Sequence, residues 1–294
     1  MKQIQWFPGH MNKTRRLIGE NLPSIDVIIE ILDARVPESS RNPMIKDIIG
    51  DKPRLVILNK TDLADPSVTK IWMKRYAEEP DVLPLALTSK DKNQIKQIIP
   101  GCRTLGKDRN TRKRRALRAM IVGIPNVGKS TVINALKGQK KASVQNKPGH
   151  TRHLQRVALN PDFELVDTPG ILWPKFEDKR VGYRLALLGS IKDEILDLFD
   201  IAGKGLNYLR LNYPKELQER FKLEELPEEP MVLLELMGRK RGMLQKGGIV
   251  DMERICHVFL SELREGKIGR VSFEKPDEDT LWFTEEEEES GEEN

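Results

Sequence analysis

Two short runs of residues have the types and spacing to hold a nucleotide. Gly123–Ser130, GIPNVGKS, sets two glycines, a lysine and a serine at the offsets of a phosphate-binding loop. Glycine lets the backbone approach phosphate oxygens, and the successive N–H groups around Asn126, Val127, Gly128 and Thr131 can then converge on them. Lys129 is placed to reach the β- and γ-phosphates, and Ser130 to ligate Mg²⁺. The second run is NKTD, Asn59–Asp62. A carboxylate at Asp62 can accept from both N1–H and the exocyclic amine of guanine, a donor pair that adenine lacks. Asn59 is expected on the base edge, and the stem of Lys60 along the ring. Ser89, in LTSK, can present a backbone N–H to guanine O6.

A third and a fourth run fit the same chemistry. In DTPG, Asp167 can hold Mg²⁺ through water and the Gly170 N–H can sense a γ-phosphate. Thr151, in PGHTR, lies between the phosphate loop and DTPG and is a candidate second hydroxyl ligand to the metal, by position alone. Many GTPases orient the attacking water with a glutamine soon after this glycine. Here the following residues are ILWP, whose side chains cannot orient water, so hydrolysis is expected to be slow without help.

These runs need strands to carry them. IDVIIEIL (Ile25–Leu32), RLVIL (Arg54–Leu58), VLPLAL (Val82–Leu87), ALRAMIVG (Ala116–Gly123) and FELVD (Phe163–Asp167) are short, apolar and rich in β-branched residues. Helical patterns lie between several of them, as at Met11–Asn21 and Pro66–Glu79. The alternation predicts an α/β domain with a mainly parallel sheet. NKTD, TSK, GKS and DTPG each follow a strand, at the edge where open α/β sheets bind ligands. Each has its bland reading as a polar turn, but the four together point to one site. From about Gly182 strand signals thin out and helical patterns dominate. The expected domains are 1–178, divided into a base-reading half 1–100, a polar linker 101–115 and a phosphate-binding half 116–178; a smaller all-helical domain 179–282; and an acidic, solvated tail 283–294.

Composition bounds the rest. The formal net charge is +5, yet seven glutamates lie in the final ten residues, and without them it becomes +12. A basic body suits a polyanion such as RNA. Candidate RNA-binding cations in the helical domain are Arg239, Lys240, Arg241, Arg254, Arg264, Lys267 and Arg270. Ile255, Phe259 and Leu263 share one helix face, with Arg254, His257 and Arg264 placed elsewhere. Sparse aromatics argue against base stacking as the main mode, and each cation alone is equally a solvated surface residue. The two cysteines, Cys102 and Cys256, have no metal-ligand spacing and read as reduced thiols of a cytoplasmic protein. No apolar run approaches membrane-spanning length, and no signal or transit peptide is expected.

The base-reading run precedes the phosphate loop, the reverse of the usual order. With WFPGHMNK near the start, DARVPESSRNP (Asp33–Pro43) and GKIGRVSFEKP (Gly266–Pro276), the chain resembles the circularly permuted GTPases of the Ras-like P-loop class. Within them it is similar to the ribosome biogenesis GTPase A family, over nearly its whole length short of the tail. That resemblance implies a GTPase, stimulated by the ribosomal subunit, that binds GTP and GDP. Its implied partner is the precursor of the large ribosomal subunit with its rRNA, during late assembly, and it is implied to be monomeric off the ribosome. It implies His10 as the catalytic group that orients water, against a role in packing or capping the first helix, with His150 and His153 as rivals. It also implies that Asn126 helps to hold K⁺, against ordinary hydrogen bonding within the loop. A second reading is a constitutive rRNA-binding assembly protein whose nucleotide site is mainly structural.

Overall fold

The computed structural model describes residues 8–110, 115–138, 154–170, 172–173 and 176–276; for residues 8–13 and 107–110 it describes the backbone alone. Thr151, His150, His153, the 111–114 stretch of the expected linker and the acidic tail lie outside the described residues, as does the side chain of His10. The chain divides into two compact units. The first comprises Met1–Glu177 together with Glu274–Pro276, and the second comprises Asp178–Phe273 and Asp277–Asn294.

The first unit is built on a 6-stranded sheet of order β3-β2-β1-β4-β6-β5. Its strands are β1 (Val27–Asp33), β2 (Arg54–Asn59), β3 (Val82–Ala86), β4 (Leu117–Val122), β5 (Gln155–Asn160) and β6 (Phe163–Asp167). All neighbours pair in parallel except β5, which runs antiparallel to β6. β1 and β2 are buried at every position, as expected of central parallel strands covered on both faces. Burying each isoleucine of β1 contributes about 1.5–3 kcal/mol. β5 was not legible in the sequence, because its half-exposed residues lack an apolar run.

Helices α1 (Pro8–Asn21) and α2 (Pro43–Ile49) pack Ile18, Ile45 and Ile49 against Ile28, Met120, Val122 and Val166. On α3 (Pro66–Ala77), Val68, Trp72 and Tyr76 cover Leu32, Val56 and Leu58. Asp65 starts α3 by accepting from the Ser67 N–H at 2.7 Å, with Pro66 at the first helical position, where its missing N–H costs nothing. After the short α4 (Lys92–Ile95), α5 runs from Ile98 to Asn110. Residues 101–110, expected as linker, therefore belong to a helix. Their polar composition hides a one-sided apolar stripe: Ile98 and Cys102, one turn apart, are both 0% exposed. Among the described residues, the last helix of this unit is α6 (Lys129–Leu136).

The second unit is helical: α7 (Lys179–Leu187), α8 (Leu198–Asn212), α9 (Pro214–Phe221), α10 (Pro230–Lys240) and α11 (Met252–Arg264). Ile255, Phe259 and Leu263 form the buried stripe of α11. Tyr208 of α8 donates its hydroxyl to the Ser272 carbonyl at 3.0 Å, and the Ser272 N–H donates to the Tyr213 hydroxyl at 3.1 Å. Both cysteines are buried and unbridged, and burial pushes each thiol up to about 12. Among the described residues no helix is long and apolar enough to cross a membrane.

Candidate functional site

The sheet order puts β1 beside β4, although most of the base-reading half separates them in the chain. From β1 the chain moves to β2 and β3 on one side, while β4 and β6 lie on the other, so a switch point opens between β1 and β4. Asp33, Asn59 and Asp167 end β1, β2 and β6, and the 123–130 loop leaves β4 at the same edge.

The phosphate loop is shaped by close approach. Gly128 has φ +101°, and a Cβ there would sit 2.3 Å from the Asn59 side-chain nitrogen. No other residue fits that position without displacing Asn59. Lys129 opens α6 and is nearly buried, with its Nζ donating to the carbonyls of Gly123 at 2.8 Å and Ile124 at 3.0 Å. Burial lowers its ammonium to about 8, against the opposing attraction of Asp167. Asp167 is raised by burial to about 6, although Lys129 and Lys137 pull it down. Its Oδ1 is buried without a hydrogen-bond partner. Gly170 lies against this centre, where a Cβ would be 2.7 Å from the Lys129 Nζ. Ser130 is exposed in the first turn of α6 and Thr131 is half-buried. After Gly170, Leu172 and Trp173 are buried in apolar packing, with Trp173 edge-on to Phe176, so neither offers a group to orient water.

The two loops are stitched by consecutive residues. Asn59 Nδ2 donates to the Val127 carbonyl at 2.7 Å, and Lys60 Nζ donates to the Asn126 carbonyl at 2.6 Å. Asn59 Oδ1 accepts from the Ser89 N–H at 3.2 Å. Asn59 and Ser89, both expected on the base, are thus joined to one another, and Asn59 also to the phosphate loop. Asn59 is 0% exposed and joins three loops, and the Ser89 N–H is directed at Asn59. The physical reason is that a buried amide must satisfy its polar atoms, and the phosphate-loop carbonyl is the acceptor within reach. Lys60 and Asn126 both have φ +63°, a left-handed conformation costing a non-glycine residue about 1–2 kcal/mol. Asp62 remains partly exposed and pairs with Lys90 at 2.6 Å. Burial would raise its carboxyl, but hydrogen bonds from Lys90 and Thr88 hold it below the usual value.

Sequence reasoning missed Asp33 as part of this constellation. It lies 2.9 Å from Lys60 Nζ. The signal available was an aspartate closing the strand that pairs with the NKTD strand, but the pairing itself is a property of the sheet.

In the helical unit, the candidate cations separate. Arg264 donates to the carbonyls of Leu187 and Ala186, both at 2.9 Å, and holds Asp193 bidentately at 2.7 and 2.8 Å. Arg241 pairs with Glu262 at 3.2 Å and lies over the Phe221 ring. Both are engaged within the unit: Arg264 holds two carbonyls and Asp193, and Arg241 joins Arg220 on the Glu262 carboxylate. Arg239 pairs with Glu235 one turn away, Lys240 approaches Glu224 at 3.9 Å, and Lys267 pairs with Glu265. Arg254 and Arg270 are exposed.

Residues 118–235 match the family model described as "50S ribosome-binding GTPase". The chain is 48% identical over 281 residues to Ribosome biogenesis GTPase A of Bacillus licheniformis, covering 94% of this chain and 99% of that protein. Two solved structures are similar at 29% identity: GDP-bound TM YlqF, with TM-score 0.65 over 90% of this chain and 100% of the other, and GNP-bound YlqF from T. maritima, with TM-score 0.63 over 90% and 99%.

Proposed function

This chain belongs to the ribosome biogenesis GTPase A family and hydrolyses GTP on a permuted P-loop fold, and on that premise we propose that it binds the precursor of the large ribosomal subunit and couples GTP binding and hydrolysis to late assembly. The observation that carries the reading is the double stitch Asn59–Val127 and Lys60–Asn126, which joins two loops far apart in the chain that we assign to one nucleotide site. Asp62 selects guanine. Lys129 and the N–H groups of Asn126–Thr131 hold the phosphates, and the Gly170 N–H reports the γ-phosphate.

The donor set fits Mg²⁺. Asp167 has a buried oxygen lacking a hydrogen bond, and Ser130, in the first turn of α6, supplies a hydroxyl. With Thr151 these residues would hold the ion, which supplies positive charge to the phosphates when bound. K⁺ at Asn126 would add a second positive charge. His10, in the first turn of α1, is assigned the orientation of water, since Leu172 and Trp173 are packed away. Hydrolysis is slow in isolation and faster on the subunit. Among the expected RNA contacts, Arg239, Lys240, Arg254, Lys267 and Arg270 remain assigned to rRNA phosphates. Arg241 and Arg264 are the weaker candidates, since Arg241 already holds an internal carboxylate and Arg264 a carboxylate and two carbonyls. The protein acts in the cytoplasm and is a monomer away from the ribosome.

The test is binding to purified large subunits with GDP, GTP and a non-hydrolysable GTP analogue, in K⁺ buffer at fixed salt. Preferential binding with the analogue, together with subunit-stimulated hydrolysis, is the expected result. Equal binding in all three states would replace the switch by a constitutive rRNA-binding protein.

A further inference from the structure

Asp33 opens the run DARVPESSRNP, and its side chain reaches the stitched loops. It ends β1 directly beside Asn59, its partner in the sheet register. Its carboxylate is bound on two sides. Oδ1 accepts from the Arg35 backbone N–H at 3.1 Å and from Arg35 Nε at 3.0 Å. Oδ2 accepts from Arg35 Nη2 at 2.9 Å and lies 2.9 Å from Lys60 Nζ. The Asp33 N–H donates to Ser40 Oγ at 3.0 Å, and that hydroxyl donates to the Pro37 carbonyl at 3.0 Å. Both side chains of the Asp33–Arg35 pair are almost completely buried. The carboxylate is therefore fixed from within its own loop, and Lys60 is its contact outside that loop.

Lys60 needs such a support. Its backbone is left-handed, and so is that of Asn126, whose carbonyl it holds at 2.6 Å. Strained residues persist where their surroundings over-determine them. Asp33 supplies one anchor on the Lys60 ammonium, and the phosphate loop supplies another.

We propose that Asp33, backed by Arg35, is a positioning residue for guanine nucleotide binding: it holds the Lys60 ammonium against the Asn126 carbonyl and so keeps the base-reading and phosphate loops in register. This rests on the assignment of Asn59–Asp62 and Gly123–Ser130 to the guanine base and the phosphates. GDP and GTP share the base and the first two phosphates, so a loss of register weakens both alike. It raises KM and leaves kcat at saturation unaltered.

The experiment compares the full-length wild type, Asp33→Asn, Lys60→Met and the double variant. It measures affinity for fluorescent GDP and for a GTP analogue, the KM and kcat of hydrolysis, and thermal unfolding. Loss of a charge-assisted contact predicts that Asp33→Asn weakens both nucleotides about tenfold, with kcat within about twofold of wild type. Because Asp33 acts through Lys60, the double variant binds no more weakly than Lys60→Met alone. Wild-type affinity in Asp33→Asn overturns the proposal, and so does a double variant whose loss is the product of the two single losses. Wild-type GDP affinity in Lys60→Met would instead overturn the assignment of the loops themselves. Should Asp33→Asn not fold, Asp33→Glu keeps the charge and displaces it: equal weakening of both nucleotides supports the proposal, and unchanged affinity refutes it.

Discussion

Nucleotide affinity should fall at alkaline pH because of Lys129. In the nucleotide-free site, burial lowers its ammonium from 10.5 to about 8, with Asp167 opposing. That gap makes the charged form about 3 kcal/mol less favourable than in water. Phosphate oxygens placed around the same ammonium restore its charge, so above pH 8 binding takes up a proton. By linkage, GDP affinity declines about fivefold between pH 8 and pH 9. The stability of the nucleotide-free protein moves the other way. Above pH 8 the unfolded chain still holds the proton that the folded chain has released, so this residue adds stability as pH rises towards 10.5. The assay is a fluorescent GDP titration from pH 7 to pH 9 at constant Mg²⁺ and ionic strength, on wild type and Asp167→Asn. Removing the Asp167 charge takes away the attraction that raises Lys129, so the decline should begin at lower pH in the variant. Affinity that stays flat to pH 9, or a decline that does not move in Asp167→Asn, would refute the reasoning.

At the acid end, Asp167 is raised to about 6, so the Mg²⁺-dependent part of GDP affinity should drop about fivefold between pH 6 and pH 5 in wild type and not in Asp167→Asn. Asp62→Asn replaces one acceptor by a donor facing the guanine N–H groups, so competition titration should show guanine affinity reduced about tenfold or more. Glu274 accepts from the Ser39 N–H at 2.9 Å and from Ser39 Oγ at 2.7 Å, and its carbonyl accepts from Trp72 Nε1 at 3.0 Å. Glu274→Ala removes the buried carboxylate that the Ser39 N–H and hydroxyl donate to and should cost about 2–4 kcal/mol, measured by urea unfolding. Arg264→Ala should destabilise the protein by about 3 kcal/mol in thermal unfolding, because the Leu187 and Ala186 carbonyls and Asp193 lose the guanidinium contacts, whereas Arg254→Ala should change stability by less than about 0.5 kcal/mol and weaken rRNA binding.

The sequence by itself determined the five main strands, the parallel sheet, the helical second half and the two nucleotide loops in inverted order. Those features rest on local patterns: continuous β-branched runs for buried strands, and glycines with a lysine at fixed offsets for phosphate. It did not reveal β5, whose half-exposed edge position needs no apolar run, or α5, whose single buried stripe is hidden among charged residues. Only the tertiary structure decided which polar side chains look inward. Asn59 is drawn to a carbonyl 68 residues away, Arg264 to one 77 residues away, and the Trp72 indole to one 202 residues away. Composition cannot distinguish such a residue from a solvated one, because the choice depends on which unpaired group the folded chain brings within about 3 Å, and a buried polar group left without a partner costs more than the contact itself gains.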